Sequence, residues 1–294
     1  MKQPATKRIH IVEGPDWRES IVALLDSRSP CRPWRYGFGE AHEGDPVAIV
    51  LHTEPRTVMT TVARIGADGR RDRAVAKPGL TGSGLVDIDS LVMLTRFDTG
   101  ADPRDAWVLY GDDATRLKRA LKRADRRRDK SMRYGHSSLT AARILLRSRG
   151  RCSGCSELLD LTGEDATEAF RIHTVDQPLR DAPEVLIKEE PFPSYKEQGI
   201  PDRCWLPRLP ADWPGVVCRR CCARMEAAGY TNLLDFRFSQ HPECRKCGGR
   251  RVQVAQFGMP VNPDVYWDTS PWIDWRGCVN DGGKWTCTDC GYQW

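Results

Sequence analysis

The chain has 294 residues, 40% of them apolar and 29% charged, with a formal net charge of +5 at neutral pH. That length suggests about two domains and enough apolar surface for an ordinary core. The longest apolar run, residues 47–51, falls far short of the about 20 residues a bilayer span needs. The opening residues, MKQPATKRIHIVEG, carry basic residues but no apolar leader segment, so the cytoplasm is the expected compartment and no membrane is expected as partner.

Residues 1–113 predict a small β-rich domain. DWRESIVALLDS reads as a helix with Asp16 as N-cap and Ile21, Leu24 and Leu25 on one face. DPVAIVLHT and TVMTTVARIGADG are β-branched runs broken by turn residues, and LVDIDSLVMLTRF and AWVLY add strand candidates. Residues 114–136 read as a basic helical linker. GDDATRLKRALKRADRRRDK predicts a helix capped by Asp112 or Asp113, and its apolar stripe (Leu117, Ala120, Leu121, Ala124) fades as arginines accumulate. Residues 116–133 hold ten basic side chains against two acidic ones. Such a run attracts phosphates by releasing counterions. Arg119, Lys122, Arg123, Arg126, Arg127 and Arg128 are therefore candidate nucleic-acid contacts, the alternative being a solvated helix face.

Residues 137–236 predict a second domain, opening with the helix SSLTAARILLRSRG. Residues 181–214 contain seven prolines and read as a long irregular insertion; ARMEAAGY begins a helix that stops near Gly229. Residues 237–294 predict a last small domain, rich in Gly and Trp, with RRVQVAQF as a strand.

Twelve cysteines in a reducing compartment call for something other than disulfides. Eight form four C-x-x-C pairs: Cys152/Cys155, Cys218/Cys221, Cys244/Cys247 and Cys287/Cys290. Each pair is half of a tetrahedral zinc site, so four imply two structural Zn2+ ions. A redox dithiol would account for one such pair more readily than for four. Two pairings are open. In the nested one, Cys218/Cys221 joins Cys244/Cys247 across a 22-residue gap. In the sequential one, the first pair joins the second and the third joins the fourth. A treble-clef site needs a knuckle, paired strands and a second knuckle that opens a helix; CSGC, AFRIHTVD and CRRCCARMEAA supply these in order. A zinc ribbon needs strands between its knuckles, and RRVQVAQF and GGKWTCTDCGYQW fit. The sequential pairing is expected. The fold class is then α+β: a β-rich N-terminal domain, a treble-clef zinc domain and a C-terminal zinc ribbon.

AARILLRSRGRCSGCSE, AFRIHTVDQP and ADWPGVVCRRCCARM, within about residues 137–230, resemble the HNH (ββα-metal) endonuclease domain. The resemblance implies a strand histidine acting as general base on water and a divalent metal, such as Mg2+, beside the scissile phosphate. The motif departs from that family at three positions. Thr174 stands where the base is expected, Trp213 near the asparagine, and Cys222 in place of the histidine after the second knuckle. A thiolate is a poor magnesium ligand. His173 is left as the candidate base and Asp176 as a candidate oxygen ligand, but three residues along a strand puts Asp176 on the opposite face unless a turn begins at Val175. The alternative for His173 is a structural role.

The stretch from Cys244 onward resembles a zinc ribbon, whose tryptophans (Trp267, Trp272, Trp275, Trp285, Trp294) either form its core or stack on bases. PWRYGFGE followed by GDPVAIVLHTEP is similar to PUA-like domains, including EVE domains, some of which read modified or flipped bases. That resemblance makes Trp34 and Tyr36 candidate walls of a base pocket, or else core residues. Two functions follow as expectations. One is a zinc-stabilised nucleic-acid-binding protein on a degenerate HNH scaffold, without cleavage activity, with DNA expected before RNA and with room for a protein partner. The other is a metal-dependent HNH-type endonuclease, modification-dependent in one version, that uses His173.

Overall fold

The computed structural model describes residues 8–14, 16–26, 31–36, 41–66, 73–76, 84–88, 91, 107–126, 134–176, 184–187, 203–206, 209–258, 271–276 and 283–294. At 31–36, 73–76, 107, 125–126, 184–187 and 203–206 the description is of the backbone alone. In chain order the elements begin with β1 (Arg8–Glu13), α1 (Trp17–Leu25), β2 (Cys31–Tyr36), β3 (Pro46–Leu51), β4 (Thr57–Met59), β5 (Ala63–Ile65), β6 (Arg73–Ala76) and β7 (Leu85–Asp87). Next come β8 (Trp107–Tyr110), α2 (Gly111–Arg126), α3 (Ser138–Ser148), a 3-10 turn (Glu164–Glu168) and β9 (Phe170–His173). The remainder are β10 (Glu184–Ile187), β11 (Arg203–Leu206), β12 (Gly215–Cys218), α4 (Arg219–Ala227), α5 (Leu233–Phe238), β13 (Val252–Phe257), β14 (Ile273–Arg276) and β15 (Trp285–Cys287). The architecture is mixed α and β, with several sheets and few helices. Among the described residues no helix is long and apolar enough to cross a membrane.

Two compact units divide the chain: Met1–Thr174 with Gly215–Arg219, and Val175–Pro214 with Arg220–Trp294. In the first, eight strands form one sheet of order β2-β6-β5-β3-β1-β8, with β4 pairing to β3 and β7. The pairing of β1 with β3 is parallel, whereas β1 with β8 is antiparallel. Because side chains alternate across a strand, Ile9 and Ile11 share a face with Ala48 and Val50, and that face is covered by α2. Ala114, Leu117, Ala120 and Leu121 are all buried there. Each leucine so buried contributes about 1.5–3 kcal/mol. The basic segment is thus packed on the sheet over its first three turns, with Arg116, Arg119, Lys122 and Arg123 exposed on the far side.

Asp16 caps α1 as expected, accepting from the amides of Arg18 at 2.7 Å and Glu19 at 3.0 Å. Gly14 just before it has no room for a side chain, since a Cβ there would lie 1.9 Å from Ser20 Oγ. Helix α1 packs against α3, which also lies against the antiparallel pair β9 and β12.

Several expectations change. Asp112 and Asp113 do not cap α2; the helix starts at Gly111, directly after β8, and both acids lie inside its first turn. There they still face the positive end of the helix dipole. TVMTTVARI is two strands, β4 and β5, which pair antiparallel with opposite ends of β3 and then with β7 and β6 respectively. Of LVDIDSLVMLTRF only β7 is a described strand; Ile88 and Leu91 are buried in the core. The proline-rich segment is not wholly irregular, since β10 and β11 pair antiparallel within it. Strand β1 was not anticipated, although it lies between β3 and β8.

In the second unit, Asn232 caps α5 by accepting from Asp235 N at 2.7 Å. Asp212 adds a second acceptor, its Oδ1 lying 3.0 Å from Leu233 N and 3.4 Å from Leu234 N. Trp213, Leu234, Phe238 and Trp272 form the core beside it. Strand β13 runs between β14, parallel to it, and β15, antiparallel.

Candidate metal centres and a basic surface

Three of the four knuckles share one backbone device. The N–H of the residue following the second cysteine donates to the carbonyl of the first: Ser156 to Cys152 at 2.8 Å, Gly248 to Cys244 at 2.9 Å and Gly291 to Cys287 at 3.0 Å. Closing this turn requires a left-handed residue, with φ of 64°, 72° and 68° respectively. Glycine meets that demand without a Cβ penalty, and Ser156 is the exception. The fourth knuckle closes differently, because Cys218 ends β12 and Cys221 lies in the first turn of α4.

The eight cysteines converge on two centres, Cys152/Cys155/Cys218/Cys221 and Cys244/Cys247/Cys287/Cys290, the sulfurs of each lying within 4.8 Å of one another. This is the sequential pairing. The contacts Cys155–Cys218 at 3.9 Å, Cys244–Cys290 at 3.7 Å and Cys247–Cys287 at 3.6 Å are too long for disulfides, which need about 2.0 Å. They match the edge of a tetrahedron with zinc–sulfur bonds of about 2.3 Å, which is about 3.8 Å. Two centres that could each hold a zinc ion are therefore present. Backbone amides also point at the sulfurs: Gly154 N and Cys218 N lie 3.3 Å from Cys152 Sγ, and Lys246 N lies 3.4 Å from Cys244 Sγ.

Protonation in these clusters follows burial against those donors. Burial pushes the Cys152 thiol up, with the amides of Cys218, Cys155 and Gly154 opposing it. For Cys244 burial also opposes ionisation, but the amides of Cys247 and Lys246 and the thiols of Cys247 and Cys287 prevail and bring it down to about 7. Burial raises Cys287 and Cys290. Within the second centre Cys244 is thus favoured to ionise ahead of Cys287 and Cys290, and the negative charge so gathered calls for a compensating cation. A divalent cation supplies that compensation.

Cys222 is half-buried and outside both clusters. Cys31, Cys204 and Cys278 fall outside the described side chains. Trp213, at the expected asparagine position, is a core residue with 6% exposure. His173 is half-buried at the end of β9, paired with Gly215, and Asp176 is exposed beyond the strand. Among the described residues no third group of three or more His, Cys, Asp or Glu side chains converges as a metal site. Sequence reasoning missed His136. Its Nδ1 lies 2.7 Å from Thr174 Oγ1, so an imidazole does stand beside the threonine. No local pattern announces it, because the partners are 38 residues apart.

Of the basic candidates, Arg119, Lys122 and Arg123 are exposed on α2. Arg126 is its last residue, described by backbone alone, while Arg127 and Arg128 lie outside the described residues. Trp34 and Tyr36 lie on β2, again by backbone alone, and Trp267 lies outside the described residues. Trp272 is core, Trp275 is half-buried, and Trp285 and Trp294 pack on the second cysteine cluster.

The first unit holds a further polar group that composition does not reveal. Glu13 ends β1 with a side chain only 1% exposed; its Oε1 accepts from Arg56 Nη2 and lies 3.3 Å from His52 Nε2. Comparison with protein-family models, curated proteins and solved structures finds no match to this chain.

Proposed function

We propose that the chain is a zinc-stabilised nucleic-acid-binding protein, with DNA as its first candidate partner. In this reading a treble-clef domain related to HNH nucleases is followed by a zinc ribbon and preceded by a PUA-like recognition domain. The observation that carries it is the two-sidedness of α2. Its apolar stripe is fixed in the sheet core, which holds Arg116, Arg119, Lys122 and Arg123 outward as a rigid cationic row. Phosphates are the natural counter-charge for such a row. Glu13 with His52 and Arg56, at the carboxyl ends of two parallel strands, offers the acceptor and donors that could read a base edge. The test is DNA binding over a salt series. Replacing Arg119, Lys122 and Arg123 with alanine should weaken binding to all sequences and flatten the slope by about one unit per lost phosphate contact. Unchanged affinity at low salt returns this face to plain solvation.

One observation favours a second reading, an HNH-type endonuclease: the His136–Thr174 hydrogen bond puts an imidazole beside the threonine at the base position. His173 would then remain the first candidate base, Asp176 a candidate ligand, and Mg2+ the metal. Incubation of modified and unmodified DNA with Mg2+ or Mn2+ decides between them. On the binding reading no cutting is seen; cleavage abolished by His173→Ala or His136→Ala establishes the nuclease.

A further inference from the structure

The C-terminal ribbon carries an aromatic arrangement that its own packing does not use up. Trp285 and Trp294 exchange backbone hydrogen bonds, at 3.1 and 3.2 Å, and Cys287 N donates to Tyr292 O at 2.9 Å. Residues two apart share a face of such a ladder, so Trp285, Cys287, Tyr292 and Trp294 project to one side. The inner part of this row is structural. Trp285 and Trp294 pack on the cluster of Cys244, Val252 and Cys287, and His241 lies against Trp285 with ring centroids 5.1 Å apart. The outer part is open. Tyr292 stacks on Trp294, with centroids 5.7 Å apart and planes within 17°, yet remains 39% exposed. At the other end Lys284 Nζ sits 5.2 Å from the Trp285 ring centroid.

Among the described residues, the exposed charged side chains in and beside the two ribbon knuckles are mostly cationic. Arg245 and Lys246 are exposed between the two ligands of the first ribbon knuckle, and Lys284 is exposed as well. Among the described exposed acids of the two knuckle segments, Glu243 is engaged by Arg250 at 3.3 Å, and Asp289 is the other.

We propose that this surface binds single-stranded nucleic acid, with the open face of Tyr292 receiving a base and Lys284, Arg245 and Lys246 attracting the phosphates. The proposal rests on the nucleic-acid-binding reading above and deepens it by giving the ribbon a separate preference from the helical cationic row. A base has a π-face whatever its identity, so a stacking ring with flexible cations binds unpaired strands with little sequence demand. A duplex hides its base faces and would gain only the charge. Trp294 is positioned for the role by its packing on the cysteine cluster, so the platform depends on the metal-supported fold.

Fluorescence anisotropy on the full-length, zinc-loaded protein tests this, using a labelled oligothymidine and a labelled duplex of equal length. Tyr292→Ala should bind oligothymidine about tenfold more weakly, leave duplex affinity unchanged and keep the wild-type zinc content. Tyr292→Phe, which retains the ring, should bind as the wild type does. Lys284→Ala should flatten the salt slope for the single strand by about 0.7. Oligothymidine affinity unchanged in Tyr292→Ala overturns the platform while leaving duplex binding through α2 intact, and would return the ring to packing or to a protein partner. Wild-type protein that binds neither oligonucleotide overturns the platform and the broader reading together.

Discussion

Ser156 is the one knuckle residue that carries a side chain in a conformation suited to glycine. Its φ of 64° places it with Gly248 and Gly291, which close the equivalent turns. A non-glycine residue pays about 1–2 kcal/mol in this region, partly offset by the greater chain freedom of glycine in the unfolded state. Ser156→Gly should therefore raise stability by about 0.5 kcal/mol, measured as a shift in urea midpoint at unchanged slope, whereas Ser156→Val should lower it. A drop in Ser156→Gly would show that the serine hydroxyl matters more than the backbone. His10 makes a second residue-scale case. Its side chain is 2% exposed, with Nε2 3.2 Å from Asp45 Oδ2. Burial depresses its pKa below 6.5, against the raising influence of Asp45 and with help from Arg8 and His42. The unfolded chain therefore takes up a proton before the native one does. The stability this group contributes is complete above about pH 6.5 and is lost as pH falls through the native value. Asp45 acts in the same direction at lower pH. Burial alone would raise its pKa, but hydrogen bonds from His42 N, His10 and Arg8 hold it below 3.8. Thermal midpoints from pH 7.5 to 5 should fall more steeply in the wild type than in His10→Gln, and parallel curves would sink the assignment.

At the scale of elements, α2 shows how one helix serves two ends. Leu121 is fully buried against the sheet while Arg123, two residues on, is exposed. Leu121→Ala should cost about 2–5 kcal/mol through lost burial and the cavity left behind. Arg123→Ala should stay within about 0.5 kcal/mol. Chemical denaturation of both variants checks this; equal effects would mean that the helix is not seated as described. The strand pair β9 and β12 has a comparable dual role. It carries His173 at one end and delivers Cys218 to the first cluster at the other, so its register, Gly215 opposite His173 and Cys218 opposite Phe170, fixes both.

For the whole molecule the zinc centres set the strongest expectation. Each cluster draws two cysteines from either side of a long chain segment, so an ion bound there would close loops that the chain otherwise leaves open, and its binding would be part of the folding free energy. The purified protein should contain two equivalents of zinc, by elemental analysis. Because the clusters share no cysteine, Cys155→Ser and Cys247→Ser should each lower the content by about one equivalent while Cys222→Ser leaves it unchanged. A wild-type content near one equivalent would overturn the two-centre assignment.

What the sequence determined by itself was whatever chemistry is local. Four C-x-x-C spacings identified all eight cysteines of the two clusters, Asp16 marked a helix start through its own side-chain acceptor, and the Leu117–Leu121 stripe marked the buried face of α2. Even the pairing of knuckles followed from the order of strand and helix signals between them. Tertiary structure decided what depends on distant partners. Strand β1 holds a buried histidine and glutamate, which read as polar until Asp45, Arg56 and His52 are brought beside them. The proline-rich segment pairs two short strands whose alternation is too brief to register. Trp213 belongs to a core completed by Trp272, and His136 meets Thr174 only after the chain has passed through α3 and the first knuckle. The physical reason is the same in each case: a hydrogen bond or an apolar contact across dozens of residues leaves no periodicity in the chain, whereas a metal knuckle, a cap and an amphipathic stripe are each specified within a few consecutive residues.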